Sequence, residues 1–364
     1  MSALSANART AAPFPVIVTV TTPDYACSLL QHPLHTGLFL VGQYHLQEVD
    51  SNPDADQDAD PDAGQHRTGA LSAYNVTSAA ADHLFTHPLP HGVLSAVFHP
   101  DPPHLLFLAL SSGEIVSLKL DPEGIDKDSI TTIPSPPDTS GPCTDLAFTS
   151  KRTEQNVGLL LASYTSGDFA VLSSTRPYAH AVTIPAHSFP FAAAPAETWT
   201  IAATPSEIFT GGDDGSLKAW STTDFELRAT NKQFEAGVTV VTVYNGSRSG
   251  GTRQDAPQPL GTQLLVGSYD ESVRLLAYAG NKFTQLWIVQ AGGGVWRLAV
   301  NPVKDHVVLV GAMYGGARCL DASDGTVDDS MFEEHESIVY GAAWVDGETK
   351  VTCSFYDRLL CVWR

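Results

Sequence analysis

The sequence is short of cations. Of 364 residues only 20 are Lys or Arg, against 40 Asp or Glu, so the net charge is −20. Such a surface repels nucleic acid and anionic lipid and attracts basic partners, or simply stays soluble. No nucleic-acid partner and no membrane partner is expected. Charged residues of both signs make up only 16%, and no segment holds a sustained helical period, which leaves little room for long amphipathic helices. No run reaches the roughly 20 apolar residues of a membrane span. The N-terminal MSALSANARTAAPFPVIVTV has one Arg and no apolar core of signal-peptide length. The five cysteines, Cys27, Cys143, Cys319, Cys353 and Cys361, are odd in number, scattered and without C-x-x-C pairs. A disulfide framework is excluded, and reduced thiols in a cytoplasmic protein are expected. There is no G-x-S-x-G elbow and no His/Cys/Asp cluster at zinc-ligand spacing, so an α/β-hydrolase mechanism is excluded and neither metal nor cofactor is expected. The acidic stretch DADQDADPD imitates a calcium loop, but that loop needs glycine at position 59 and glutamate at position 65, where Ala59 and Gln65 stand.

What the chain has in quantity is turns, with 29 Gly and 24 Pro, and apolar residues at 43%. They alternate in a repeated unit: an apolar strand ending near Pro or Asn, a gap, a second apolar strand, a tight polar turn and a third strand. Its clearest copies are TIAATPSEIFTGGDDGSLKAW (200–220), QLLVGSYDESVRLLAY (263–278) and YGAAWVDGETKVTCSFYDRLLCVW (340–363), which put Asp214, Asp270 and Asp357 in one turn column. Four weaker copies complete a set of seven, with first strands starting near 26, 93, 143, 198, 238, 295 and 339. The tightest spacings, roughly 40–44 residues, match the period of a WD-repeat blade. The expected fold is all-β: a seven-bladed WD-repeat β-propeller, one domain over 1–364. The last blade lacks its outer strand, and the lone β-rich run 15–20 is expected to supply it by pairing with 358–363, closing the ring and hiding open edges. Residues 47–69, within the first blade, carry seven acids and almost no apolar side chain and are expected to be a disordered insertion. Residues 121–141 and 245–260 are expected to be linkers of the same kind.

Candidate functional residues cluster where outer strands lead into the next inner strand. AGGGVWRLAV (291–300) is one such junction. A phosphate cradle would need a helix after its glycines, and VWRLAV reads as a strand. The glycines, Gly293 and Gly294 among them, are instead expected to pass tight positive-φ backbone and to set Trp296 and Arg297 at the mouth of the central channel. Trp199 and Tyr340 hold the same position in two other blades, so an aromatic pocket is expected there. A core role for Trp296 stays open, whereas a buried Arg297 would need partners. His335 followed by Val339 has the H-x3-V spacing of an ordinary WD repeat, in which the histidine braces the turn aspartate, here Asp357. The structural reading of His335, and of Asp214 and Asp270, stands beside a catalytic one in which Asp270, Glu271 or His335 acts as base.

GSYDESVRLL, AGGGVWRLAVNP, HESIVYGAAW and VTCSFYDRLLCVW together resemble diphthine methylesterase, the WD-repeat family of diphthamide biosynthesis. The likeness is strongest over 262–363 and extends to the other blades in pattern only. It implies a cytoplasmic ester hydrolase that removes the methyl ester from methylated diphthine on translation elongation factor 2. It brings no catalytic residues with it. Within the expected pocket Arg297 or glycine N–H groups would serve as oxyanion donors, and Trp199, Trp296, Tyr340, Gly293 and Gly294 would bind the substrate's quaternary ammonium and ester. The chain is expected to act as a monomer. Departures from the pattern are the lack of any intact Trp-Asp dipeptide and Tyr314 in the turn-aspartate column. The competing reading is a WD-repeat scaffold that binds protein and catalyses nothing, with an unrelated hydrolase or lyase on a propeller as a third.

Overall fold

Second strands such as LLFLAL (Leu105–Leu110), LLLASY (Leu159–Tyr164) and TQLLVGS (Thr262–Ser268) are apolar on successive residues and buried on both faces. Such a strand needs a sheet packed against each side. The structure, a computed structural model, meets that need with a ring of sheets. It describes residues 14–46, 67–149, 158–191, 194–245, 261–328 and 331–364. Seven four-stranded antiparallel sheets follow one another, with inner strands Tyr25–Gln31, Val93–Phe98, Cys143–Phe148, Thr198–Ala203, Val238–Tyr244, Val295–Val300 and Val339–Trp344. We number the blades 1 to 7 in that order. The starts agree with the repeat spacing in the sequence.

The core is divided in seven, one apolar cluster between each pair of neighbouring blades. Leu264 and Leu265 of one strand illustrate the rule: Leu264 packs toward blade 4 with Phe209, and Leu265 toward blade 6 with Val308. Successive side chains of a strand point to opposite faces, so an unbroken apolar run serves two clusters.

Blade 7 is closed by the N-terminal strand Val16–Thr21, which pairs antiparallel with Leu359–Trp363; Thr19 faces Cys361 and Thr21 faces Leu359. The expected closure therefore holds. Two expectations need correction. The acidic insertion ends sooner than position 69, because Arg67–Val76 is one strand and Thr68 and Gly69 already pair with His45 and Tyr44; residues 47–66 lie outside the described residues. The proposed linker 121–141 contains the outer strand of blade 2, Gly124–Ile133. Its polar sequence, GIDKDSITTI, reflects a strand with one face in water. Of the linker 245–260, all but Asn245 lies outside the described residues.

Blades 4 and 7 are braced alike. In blade 7 the Trp363 indole N–H donates to Thr352 Oγ1 (3.1 Å), Thr352 faces His335 Nε2 (2.6 Å), His335 Nδ1 faces Ser354 Oγ (2.6 Å), and Ser354 donates to Asp357. In blade 4 Trp220 donates to Thr210 (2.9 Å), Thr210 faces His187 Nε2 (2.9 Å), and His187 Nδ1 lies 2.8 Å from Asp214. Each chain is satisfied when the imidazole is neutral, with its proton on Nδ1 and its Nε2 accepting. The turn aspartate of blade 7 thus reaches His335 through an interposed serine rather than directly. Burial pulls His335 down to about 4 against the opposing pull of Asp357, and it pulls His187 down as well despite Asp214.

Acid should therefore loosen these two blades. A histidine whose folded pKa lies below its unfolded value stabilises the fold above the unfolded pKa and loses that contribution as pH falls through the interval. For His335 the window runs from about 6.5 down to about 4, worth about 3 kcal/mol. The melting temperature of the wild type should fall steadily across that window. A His335→Gln variant, less stable throughout, should show a shallower slope; parallel slopes would mean that His335 does not titrate between the two states.

Candidate functional site

Every inner strand breaks register with its neighbour near its start, after the first pair in six blades and after the second in blade 1. Val295 faces Ala312, then Arg297 faces Gly311, and Trp296 between them is left unpaired. The same skip leaves Cys27, Leu94, Thr144, Trp199, Thr239 and Tyr340 unpaired in the other blades. The residue before each skip, from Ala26 and Val93 round to Val339, is fully buried. A bulge re-aims the extra side chain, and here six of the seven line one cavity of about 360 Å³ at the mouth of the channel. In blade 5 Thr239 instead donates to the Val295 carbonyl, and Tyr269 from the polar turn stands in the wall in its place.

The walls differ by side. Blades 1 to 3 contribute the uncharged bulge residues Cys27, Leu94 and Thr144 together with Tyr44, while blades 4 to 7 contribute mostly rings. Trp296 lies 5.9 Å from Trp199, 5.6 Å from Tyr269 and 4.9 Å from Tyr340, centroid to centroid. Tyr340 continues to Phe355 at 5.4 Å. These contacts are mostly edge-on, the arrangement that aromatic quadrupoles favour, and they hold the wall rigid. Burial first, then neighbouring groups, pushes the Tyr269 and Tyr340 phenols up, so both stay protonated and act as donors at neutral pH.

One position beyond the bulge the seven residues are Ser28, Ser95, Asp145, Thr200, Val240, Arg297 and Gly341. Two are charged, and they differ in kind. Asp145 is spent on structure: it accepts from Ser95 Oγ (2.8 Å), Thr200 Oγ1 (3.1 Å) and the backbone N–H groups of Leu146 (2.9 Å) and Ile201 (3.2 Å), tying blades 2, 3 and 4. Arg297 has no carboxylate partner among the described residues. Its Nη1 donates to the Trp296 carbonyl at 3.3 Å, and its guanidinium carbon sits 5.9 Å from the Trp296 ring centroid. The Trp296 indole N–H is buried and without an acceptor among the described residues. Arg297 thus lines the cavity with one backbone hydrogen bond and no counter-charge among the described residues, which leaves the guanidinium free to meet an anionic or polar ligand.

The structure brings Trp199, Trp296, Arg297 and Tyr340 together and leaves the other candidates elsewhere. Asp270 lies in a turn, its carboxylate bound by Arg274 (2.8 and 3.0 Å) and by the Glu235 N–H (3.2 Å). Burial alone would raise that carboxyl, but these donors outweigh it and hold it below the usual range. Glu271 is exposed, at φ 66°, in the left-handed corner of the same turn. His335 is enclosed in the blade 7 brace. The glycine run does two jobs. Gly292 adopts φ 78°, and a Cβ on Gly293 would come within 2.3 Å of the Met313 carbonyl. Gly294 packs beside Tyr269, and neither Gly293 nor Gly294 lines the cavity. Cys27 does line it, but burial raises its thiol well above the ordinary range, so it carries no thiolate at neutral pH. Among the described residues no cluster of His, Cys, Asp and Glu is arranged to hold a metal. A larger cleft of about 510 Å³ lies at the other end of blades 2 and 3, beside His99, Asp101, Lys119 and Arg176, and shares none of these residues.

Comparison with known proteins finds likeness of two kinds, in sequence over part of the chain and in fold. No protein-family model matches the chain. Among curated proteins it is 32% identical over 165 residues to a diphthine methyltransferase of Schizosaccharomyces pombe, covering 43% of this chain and 47% of that protein. It is 27% identical over 171 residues to a diphthine methyltransferase homolog of Dictyostelium discoideum (43% and 46%), and 33% identical over 144 residues to the diphthine methyltransferase of Mus musculus (38% and 27%). The matched stretch spans less than half the length of each relative. Among solved structures, a chain of a mitotic checkpoint complex superposes with TM-score 0.68 at 15% identity, over 100% of this chain and 96% of that one. That likeness is one of fold. The chain is a closed seven-bladed propeller similar in sequence, over about two fifths of its length, to proteins named for diphthine methylation.

Proposed function

We propose that this chain acts in diphthamide biosynthesis, in the cytoplasm, as a carboxylic ester hydrolase that removes the methyl ester of methylated diphthine on translation elongation factor 2. The observation that supports this best is Arg297, a guanidinium with no carboxylate partner among the described residues that lines an aromatic-walled cavity. The relatives are named for methyl transfer on diphthine, and ester cleavage removes a methyl group from the same residue. The substrate side chain carries a quaternary ammonium, which aromatic faces attract, and an ester carbonyl, which Arg297 would hold as it becomes an oxyanion. Water adds to the carbonyl carbon, one of its protons leaves with the methoxy group as methanol, the other passes to solvent, and a carboxylate remains. The protonated phenols of Tyr269 and Tyr340 are suited to donate hydrogen bonds to the ester oxygens. The acidic chain suits a basic protein partner.

A second reading has its own support. Among the described residues the lining of the cavity contains no carboxylate and no imidazole, so none of them offers a general base of that kind to the nucleophilic water. A scaffold that binds the modified side chain without cleaving it needs none. Elongation factor 2 carrying methylated diphthine decides between them. Incubation with the chain should release methanol and reduce the peptide mass by one methylene; stable binding with no change of mass would establish the scaffold instead.

Filling the open side of the cavity tests its location without touching the aromatic wall. Leu94→Trp puts a large ring opposite Trp296 and should lower substrate affinity at least about tenfold, since ligand sites of this kind bury most of what they bind. The melting temperature should move little, because Leu94 lies at the channel mouth rather than between blades. Unimpaired binding to a folded Leu94→Trp protein would place the site elsewhere.

A further inference from the structure

We infer that this cavity is a receptor for betaines, in which a quaternary ammonium stands a few bonds from a free carboxylate, and that it holds the carboxylate more tightly than the corresponding methyl ester. The identity of the physiological side chain rests on the reading above; the ligand chemistry is read from the cavity itself.

The cavity has a cation end and an anion end. At the first, Trp199, Tyr269 and Trp296 present rings 5.6–6.4 Å apart, centroid to centroid. Asp213 accepts the Trp199 indole N–H at 3.2 Å from behind this wall, and Asp213 and Glu197 both lie near enough to act on the Tyr269 phenol. Negative charge therefore backs the ring faces without lining them. That arrangement selects among cations. A primary ammonium brings N–H groups that need acceptors, and burying them unpaired is costly. Among the described residues the lining offers rings and a few hydroxyl acceptors but no carboxylate to neutralise such a group. A quaternary ammonium has no N–H to satisfy and gains the full attraction of the rings.

At the other end Arg297 lies near Cys27 and Tyr340, where its charge favours ionisation of both against the larger effect of burial. It has no carboxylate partner among the described residues and donates one hydrogen bond, to the Trp296 carbonyl. A guanidinium meets a carboxylate with two parallel charge-assisted bonds. A methyl ester offers one uncharged carbonyl and a weakly accepting alkoxy oxygen. The difference should amount to about tenfold to a hundredfold in affinity. The product of the proposed hydrolysis would then bind better than its substrate and leave slowly, and free betaines would compete for the site.

Calorimetric titration of the full chain tests this with three probes: 4-(trimethylammonio)butanoate, its methyl ester, and 4-aminobutanoate. The betaine should bind at least about tenfold more tightly than either of the others. Arg297→Gln should bring betaine and ester to within about threefold of each other, and Trp199→Leu should weaken both alike. Equal affinity of betaine and ester for the wild type, a preference that survives Arg297→Gln, or no binding of any probe overturns the inference. Methanol release from modified elongation factor 2 is measured alongside. Turnover without carboxylate preference defeats only this inference; carboxylate preference without turnover defeats the hydrolase reading and leaves the betaine receptor standing.

Discussion

Arg297→Ala should reduce hydrolysis of the methylated diphthine ester by about two to three orders of magnitude while the protein stays folded. The side chain stands one residue past the bulge of blade 6, partly exposed in the cavity, and makes no ion pair among the described residues. Removing it therefore breaks no bracing contact comparable with those of Asp145, and the melting temperature should shift by no more than about 2 °C, as for substitutions away from packed features. What is lost is the one positive charge among the described residues that line the cavity. If Arg297 holds the developing oxyanion, the loss falls on kcat. If it only holds the ground-state ester, KM rises and kcat persists. Lysine should rescue poorly, because a point charge cannot reproduce the planar two-pronged contact. A folded Arg297→Ala protein with wild-type kcat and KM would remove Arg297 from the chemistry.

Much of this was legible before any fold was known, for identifiable reasons. The blade starts are fixed by apolar runs and turn residues close in sequence, and the closing strand follows from a missing outer strand in the last repeat. Trp199, Trp296 and Tyr340 were recognisable as equivalent because each follows the first residue of an inner strand. The rest of the wall was harder to see. Cys27, Leu94 and Thr144 occupy the same column but look like ordinary strand residues, and only the repeated register break reveals that they turn toward the channel. Tyr269 and Phe355 come from the polar turns, whose aspartates draw attention first. His187 escaped notice because a small hairpin, Ser188–Phe189 with Ala194–Pro195, separates it from the inner strand at Thr198. His335, four residues before Val339, keeps the usual spacing. The pairing of Asp270 with Arg274 was equally hidden, since the four-residue gap crosses a turn rather than following a helix. In each case the missing information was register or a loop path, which local composition does not encode.

Trp363→Ala should cost about 3–5 kcal/mol, the range for deleting a fully buried large aromatic, and should leave the cavity working. Trp363 is wholly buried at the seam where the ring closes. Its strand is paired on both sides, with Lys350 facing it on one and Val16 on the other. Its indole stacks on Phe332 at 4.4 Å and 6°, tilts against Phe14 at 4.9 Å, and lies 4.8 Å from the Lys350 ammonium. Burial lowers the pKa of that ammonium, and Phe14, Trp344 and Trp363 together surround it with ring faces. Truncation opens a void between blades 6 and 7, uncovers part of a buried cation, and strips Thr352 of the donor that orients its hydroxyl toward His335. At roughly 1.3 °C for each kcal/mol in a chain of this size, the melting temperature should fall by about 4 °C or more. Trp363→Phe keeps the stack on Phe332 and loses the indole N–H, so its cost should be clearly smaller. Because Trp363 does not line the cavity, kcat/KM measured well below the lowered transition should stay close to wild type. A Trp363→Ala protein that melts with the wild type would show that the N-terminal strand, rather than this tryptophan, holds the ring shut.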